Sequence, residues 1–176
     1  MKKYVALLRG INIGGKNKIK MSELKSAFEM AGLTEVRTVL NSGNIIFSSE
    51  ADMNEEIIEN IILEHFKMKI PVYLMKIEDL EDILAHSPKW WNTGKKDRYD
   101  NLIFIIPPAK SSDVYSEIGE PKKGLEKIEG YKEVIFWSFS RKDYQKTNWW
   151  SKTASANIGA KLTIRTANTV RKIVKM

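Results

Sequence analysis

Apolar positions in this chain fall into short runs broken by polar, glycine-bearing stretches, and the spacing within each run separates strands from helices. Tyr4–Leu8 is a continuous apolar run stopped by Arg9-Gly10, which predicts a buried strand. Arg9–Met21 is glycine-rich and basic without clean periodicity, which predicts a loop. Ser22 is placed to cap a helix, with Leu24, Ala27, Phe28 and Ala31 at helical spacing and Gly32 as a left-handed stop. Val36–Leu40 and Ile45–Ser48 flank Asn41-Ser42-Gly43-Asn44, whose turn chemistry predicts a hairpin. Asp52 with Glu55 matches a capping box before the apolar face Ile57, Ile58, Ile61, Ile62 and Phe66. Pro71–Met75 then predicts a strand with proline at its tolerated first position. Strand, helix, strand, strand, helix, strand is the ferredoxin-like order.

The second half repeats the pattern without repeating the sequence. Residues 77–101 read as a helical connector: a short acidic helix (Leu80, Ile83, Leu84), then Ser87-Pro88 and Trp90-Trp91-Asn92-Thr93-Gly94. Leu102–Ile106 predicts a strand stopped by Pro107-Pro108, and Val114, Tyr115 and Ile118 a helix ending at Gly119. Leu125–Ile128 and Val134–Phe139 pair as strands around Gly130. Ser140 with Asp143 matches a capping box opening a helix through Tyr144 and Trp149. Lys161–Arg165 is the expected last strand, and a helix from Thr166 buries Val170, Ile173 and Val174. The expected fold is α+β: two tandem ferredoxin-like βαββαβ halves with antiparallel sheets, residues 1–76 and 102–176, joined by the connector and closed by an extra C-terminal helix.

Composition narrows the chemistry. There is no cysteine among the 176 residues, which excludes disulfides, a thiolate nucleophile and cysteine-ligated metal centres. No apolar run approaches the roughly 20 residues that span a bilayer. The short apolar run after Met1-Lys2-Lys3 lacks the length and cleavage site of a signal peptide, so a cytoplasmic protein is expected. The net charge of +7 is unevenly placed. Residues 1–22 hold six basic residues and no acid, residues 134–176 hold nine and one, and the centre is acidic.

Three stretches resemble a known family. They are Tyr4 to Lys16 (YVALLRGINIGGK), Asn41-Ser42-Gly43-Asn44 followed by Ile45-Ile46-Phe47, and Arg165-Thr166-Ala167-Asn168-Thr169-Val170. Together they resemble the bacterial family catalogued as domain of unknown function 1697 (DUF1697). The family tends to carry a tryptophan between the arginine and asparagine of the third motif, where Ala167 stands nearest here. The resemblance implies a duplicated ferredoxin-like architecture and no established activity.

The same motifs supply the candidate site. Gly10 to Asn17 nearly matches a phosphate loop, but Asn17 replaces the hydroxyl that binds Mg²⁺ and no helix follows directly, which argues against an NTPase. Glycine amides with Arg9 and Lys16 still suit an anion. The expected ligand-binding residues are Arg9, Gly10, Asn12, Gly14, Gly15 and Lys16 in this loop, and Asn41, Ser42 and Asn44 in the turn. Arg165, Thr166, Asn168 and Thr169 complete them at the start of the last helix, where Thr166 also suits an N-cap. Ser22-Glu23-Leu24-Lys25 matches the Ser-x-x-Lys pattern without its partner motifs. His65 and His86 lie far apart in acidic helical segments, which argues against a metal site or a catalytic triad. Asp97 and Asp100 flank Arg98-Tyr99 without a mark above a solvated loop. No general base can be named, and no cofactor or metal is expected. Trp90-Trp91 and Trp149-Trp150 interleave with lysines; each pair is expected to put one ring in the core and one at the rim. The expected function is binding of an anionic ligand, a nucleotide or other phosphorylated metabolite. Nucleic-acid binding, an enzyme on a phosphorylated substrate and a protein-interaction module are the alternatives.

Overall fold

The computed structural model describes residues 1–176 and contains two four-stranded antiparallel sheets. The chain forms two compact units, Met1–Asp82 with Arg171–Met176, and Ile83–Val170.

In the first unit β1 (Lys2–Leu8), α1 (Met21–Met30), β2 (Thr34–Val39), β3 (Asn44–Ser49), α2 (Glu55–Phe66) and β4 (Val72–Lys76) follow in order. The strand order β2-β3-β1-β4 is that of a ferredoxin-like sheet. Alternate residues of β1 (Tyr4, Ala6, Leu8) and of β3 (Ile45, Phe47) face the two helices, which contribute Leu24, Phe28, Ile58 and Ile62 to one core. Asn54 caps α2, its Oδ1 accepting from Ile57 N–H at 2.9 Å. The cap expected from Asp52 is absent: Asn54 holds the cap position, and the Asp52 carboxylate pairs with Lys2 instead. Ser22 is also no cap: α1 begins at Met21, and Ser22 lies in its first turn.

The second unit repeats the plan. After α3 (Ile77–Ala85) come β5 (Arg98–Ile105), α4 (Ser111–Ile118), β6 (Glu126–Tyr131), β7 (Val134–Ser140), α5 (Trp149–Ser155), β8 (Leu162–Thr166) and α6 (Ala167–Val174). The order β6-β7-β5-β8 matches the first sheet position for position. β5 is longer than expected and takes in Arg98–Asn101 from the connector. The hairpin turns at Lys132-Glu133 rather than at Gly130. Ser140 and Asp143 precede a 3-10 turn at Tyr144–Lys146, and α5 starts only at Trp149. Ile103, Ile105, Ile135, Trp137 and Phe139 pack with Val114, Ile118 and Trp149.

A buried carboxylate organises this unit. Glu126 accepts hydrogen bonds from Trp137 Nε1 (3.1 Å), Trp149 N–H (3.3 Å), Lys122 N–H (2.9 Å) and Asn148 N–H. A buried charge is tolerable only when it is hydrogen-bonded in this way. No helix is long and apolar enough to cross a membrane.

Candidate functional site

In the first unit, the glycine-rich loop and the Asn41 turn are brought together, and the link is Asn12. Its Nδ2 donates to Asn41 O and Ile19 O, both at 2.9 Å, and its Oδ1 accepts from Ile19 N–H at 2.9 Å. Asn17 Nδ2 donates to Gly10 O at 3.0 Å. Gly14 and Gly15, both at positive φ, turn the tip, closed by Lys16 N–H on Ile13 O at 3.0 Å. Asn44 is fully buried and donates to Val39 O and Ser42 Oγ, closing the β2–β3 hairpin. Gly43 cannot be replaced freely: a Cβ there would lie 2.8 Å from Leu8 Cβ, with φ at +89°. Asn12 and Asn44 thus use their polar groups on the chain itself. A cleft of about 480 Å³ beside them is lined by Gly15, Lys18, Lys20, Glu23, Asn12 and Asn41.

The second unit holds a different cleft, of about 280 Å³. β5 runs antiparallel to β7 and β8, so its first residues lie beside their last ones: Arg98 opposite Ser140, Asn101 opposite Thr166. Four cations gather at that sheet end, Lys95, Lys96, Arg98 and Arg141, against one lining carboxylate, Asp100. None of the four forms an ion pair. Trp91 Nε1 donates to Asn101 O at 2.8 Å and Asn92 N–H to Asp100 Oδ2 at 3.0 Å, which moors the lysine-bearing loop to β5. Asp100 Oδ1 is buried without a partner. Arg98 Nε donates to Ser138 Oγ at 3.0 Å, and the Arg141 guanidinium lies over the Tyr99 ring, 4.2 Å from its centroid. Thr166, Ala167 and Asn168 form the last wall, at the start of α6. Thr166 Oγ1 accepts from Thr169 N–H at 3.3 Å and so caps this helix.

The same sheet end exists in the first unit, at the start of β1 and the end of β4, where α3 follows β4 without a loop as α6 follows β8. Its cleft, about 340 Å³, carries Lys2, Lys3 and Lys76. There all but Lys3 are paired with carboxylates. Lys2 pairs with Asp52, Lys76 with Glu78 (4.0 Å) and the N-terminal amine with Glu50 (3.4 Å). The hydrogen bond with Asp52 raises the Lys2 pKa and lowers that of Asp52. The first turn of α3 is acidic (Glu78, Asp79), whereas that of α6 has no acid. The two units also differ in net charge. Residues 83–170 hold 15 of the 29 basic and nine of the 22 acidic residues, a net +6, which leaves 14 and 13, or +1, for the first unit.

The sequence profile of the family described as protein of unknown function (DUF1697) matches residues 1–136. The chain belongs to that family. The DUF1697 match takes in the glycine-rich loop, the Asn41 turn and the β5 end of the cleft, and stops before Arg141 and α6. A solved structure of a conserved bacterial protein from Streptococcus pneumoniae is similar over 99% of this chain and 97% of that one, with 30% identity and a TM-score of 0.86. The first two RRM domains of a yeast poly(U)-binding protein align over 94% of this chain and 99% of that one, at 12% identity and a TM-score of 0.24, too low to carry an argument. No curated protein matches the sequence.

Of the residues expected to bind a ligand, Thr166 and Asn168 line the basic cleft of the second unit, and Asn12, Gly15 and Asn41 line the cleft of the first. Arg165 lies outside both linings. It is buried, its Nη1 donating to Thr163 Oγ1 (2.8 Å) and Ile164 O (3.0 Å). Burial lowers its pKa to about 10, which leaves the guanidinium charged at neutral pH. Lys95, Lys96, Arg98, Asp100 and Arg141 are not among the residues the sequence selects: Arg98 and Asp100 read as a solvated loop, and Lys95 and Lys96 only as lysines interleaved with tryptophans. The usable signal was the cationic cluster at Lys95, Lys96 and Arg98, read there as connector. The tryptophan pairs divide as expected. Trp91 and Trp149 are buried, Trp90 is half-buried and Trp150 is exposed.

Proposed function

We propose that the protein binds a phosphate-bearing anionic ligand in the cleft lined by Lys95, Lys96, Arg98, Arg141 and the start of α6. The observation that carries this reading is the internal comparison. One fold places the same sheet end and helix start in both units; carboxylates pair Lys2, Lys76 and the N-terminal amine in the first, whereas the four cations of the second face one lining carboxylate and form no ion pair. A cleft lined by one sign of charge focuses its field and raises the local concentration of the opposite ion. Arginines suit phosphate because their planar guanidinium donates in pairs, and a helix start free of acid adds a favourable dipole. The reading keeps the helix start anticipated from the C-terminal motif and adds cations from the 92–100 segment and from Arg141. It names no reaction.

Thermal denaturation with inorganic phosphate, pyrophosphate and nucleoside monophosphates tests it, because a ligand of the native state raises the midpoint by mass action. The expected result is a rise in the wild type that disappears in Arg98→Ala/Arg141→Ala. An equal rise in both proteins would refute the placement.

A further inference from the structure

We infer that the basic cleft is one end of a track for single-stranded nucleic acid, continued by an aromatic row on the same unit. This rests on the phosphate-binding reading above and goes further by naming the ligand class. Small-molecule sites are lined mainly by apolar side chains. Here Tyr99 and Ala167 alone supply apolar side chains, and Lys95 and Lys96 stand exposed. A free metabolite would meet charge without an apolar wall. A polymer takes its apolar contacts from what lies next to the cleft, and aromatics are there. The Tyr99 ring, 36% exposed with the Arg141 guanidinium over it, packs 5.4 Å from the buried Phe139, which packs 5.6 Å from Trp150. Trp150, 43% exposed, stands 4.8 Å from Tyr144. The platform is braced: Trp150 N–H donates to Thr147 Oγ1 at 3.3 Å, and the adjacent Trp149 is held by Glu126 and by Gly119 O. A cationic groove beside exposed rings is the arrangement that binds single strands by backbone attraction and base stacking. The unit's net +6 supplies the longer-range attraction.

The test is fluorescence anisotropy with labelled oligothymidylate and oligouridylate of about eight nucleotides, within the usual site size. Wild type, Arg98→Ala and Trp150→Leu are compared; the leucine keeps apolar packing on Phe139 and Tyr144 but removes the ring. The midpoint rise with inorganic phosphate is followed in parallel. Binding of either oligonucleotide is expected, the tighter one naming the polymer. It should weaken about tenfold in Trp150→Leu, the loss of one stacked base. It should also weaken in Arg98→Ala, with the salt slope smaller by about one. The phosphate response should survive Trp150→Leu. Oligonucleotide binding that is sensitive to Arg98→Ala but indifferent to Trp150→Leu would overturn the track and leave the phosphate cleft standing, as would a phosphate response without oligonucleotide binding. Loss of both responses in the wild type would overturn both readings. Polyglutamate binding as tightly as the oligonucleotides would put an acidic protein partner in place of nucleic acid.

Discussion

The two units of this protein share one strand order but are stitched and charged differently. The first is held at its loops by neutral amides. Asn12 ties the glycine-rich loop to the Asn41 turn, and Asn44 closes the hairpin. The second is held by a buried carboxylate, with Glu126 gathering four N–H donors around two tryptophans. The contrast extends to the matched sheet ends, where carboxylates pair Lys2 and Lys76 of the first while the four cations of the second form no ion pair. Charges that pair at the surface contribute little stability. Their effect is on what the surface attracts. A duplicated fold can therefore keep its core twice while only one copy of the sheet end keeps its cations free of ion pairs.

Substitutions in each unit sharpen the comparison. The largest effect is expected at Glu126, where Glu126→Ala strands buried donors and costs about 4 kcal/mol. Urea denaturation monitored by tryptophan fluorescence reads this directly; a loss under about 1 kcal/mol would remove Glu126 as the organiser. Gly43→Ala forces a Cβ against Leu8 in a left-handed backbone and should cost about 3 kcal/mol. Its counterpart in openness, Gly124→Ala, has φ at +82° but no neighbour within 4 Å, so only the backbone term of about 1 kcal/mol remains. Equal midpoints for the two variants would contradict the packing argument. Asn12→Ala should cost about 2 kcal/mol and speed amide hydrogen exchange at Ile19 and across residues 10–18, since its side-chain hydrogen bonds to Ile19 and Asn41 are lost. The smallest stability change comes with the sharpest functional one. Asn168→Glu copies the acid that Glu78 supplies at the equivalent helix start. It should stabilise by about 0.5 kcal/mol through the helix dipole while weakening phosphate binding about tenfold or more. A gain in stability with unchanged binding would detach the helix start from the site.

The central strands were legible in the sequence because β1, β3, β5 and β7 carry short apolar runs ended by turn residues, and both ferredoxin-like halves followed from the order of the elements; the polar β6 was placed less well. Helix starts were less legible, for reasons that lie far along the chain. Ile19 is clamped through both its N–H and its C=O by Asn12, so α1 begins at Met21 and Ser22 falls inside it. Asp52 pairs with Lys2, and Asn54 holds the cap of α2. The loop–turn pairing of the first unit was legible in part, since both motifs stood out. That Asn12 joins them was not, because its bonds reach 29 residues away. The basic cleft was legible only at Thr166 and Asn168. Its cations come from residues 95–98 and 141, and only the antiparallel register of β5 with β7 and β8 makes them neighbours.

The most direct test of the central claim is a titration of ¹⁵N-labelled protein with inorganic phosphate, followed by amide chemical shifts. Shifts confined to Lys95–Asp100, Arg141 and Thr166–Asn168, and lost in Asn168→Glu, are the result expected. Shifts centred on Lys2, Lys3 and Lys76–Glu81, or equal in the two sheet ends, would contradict it.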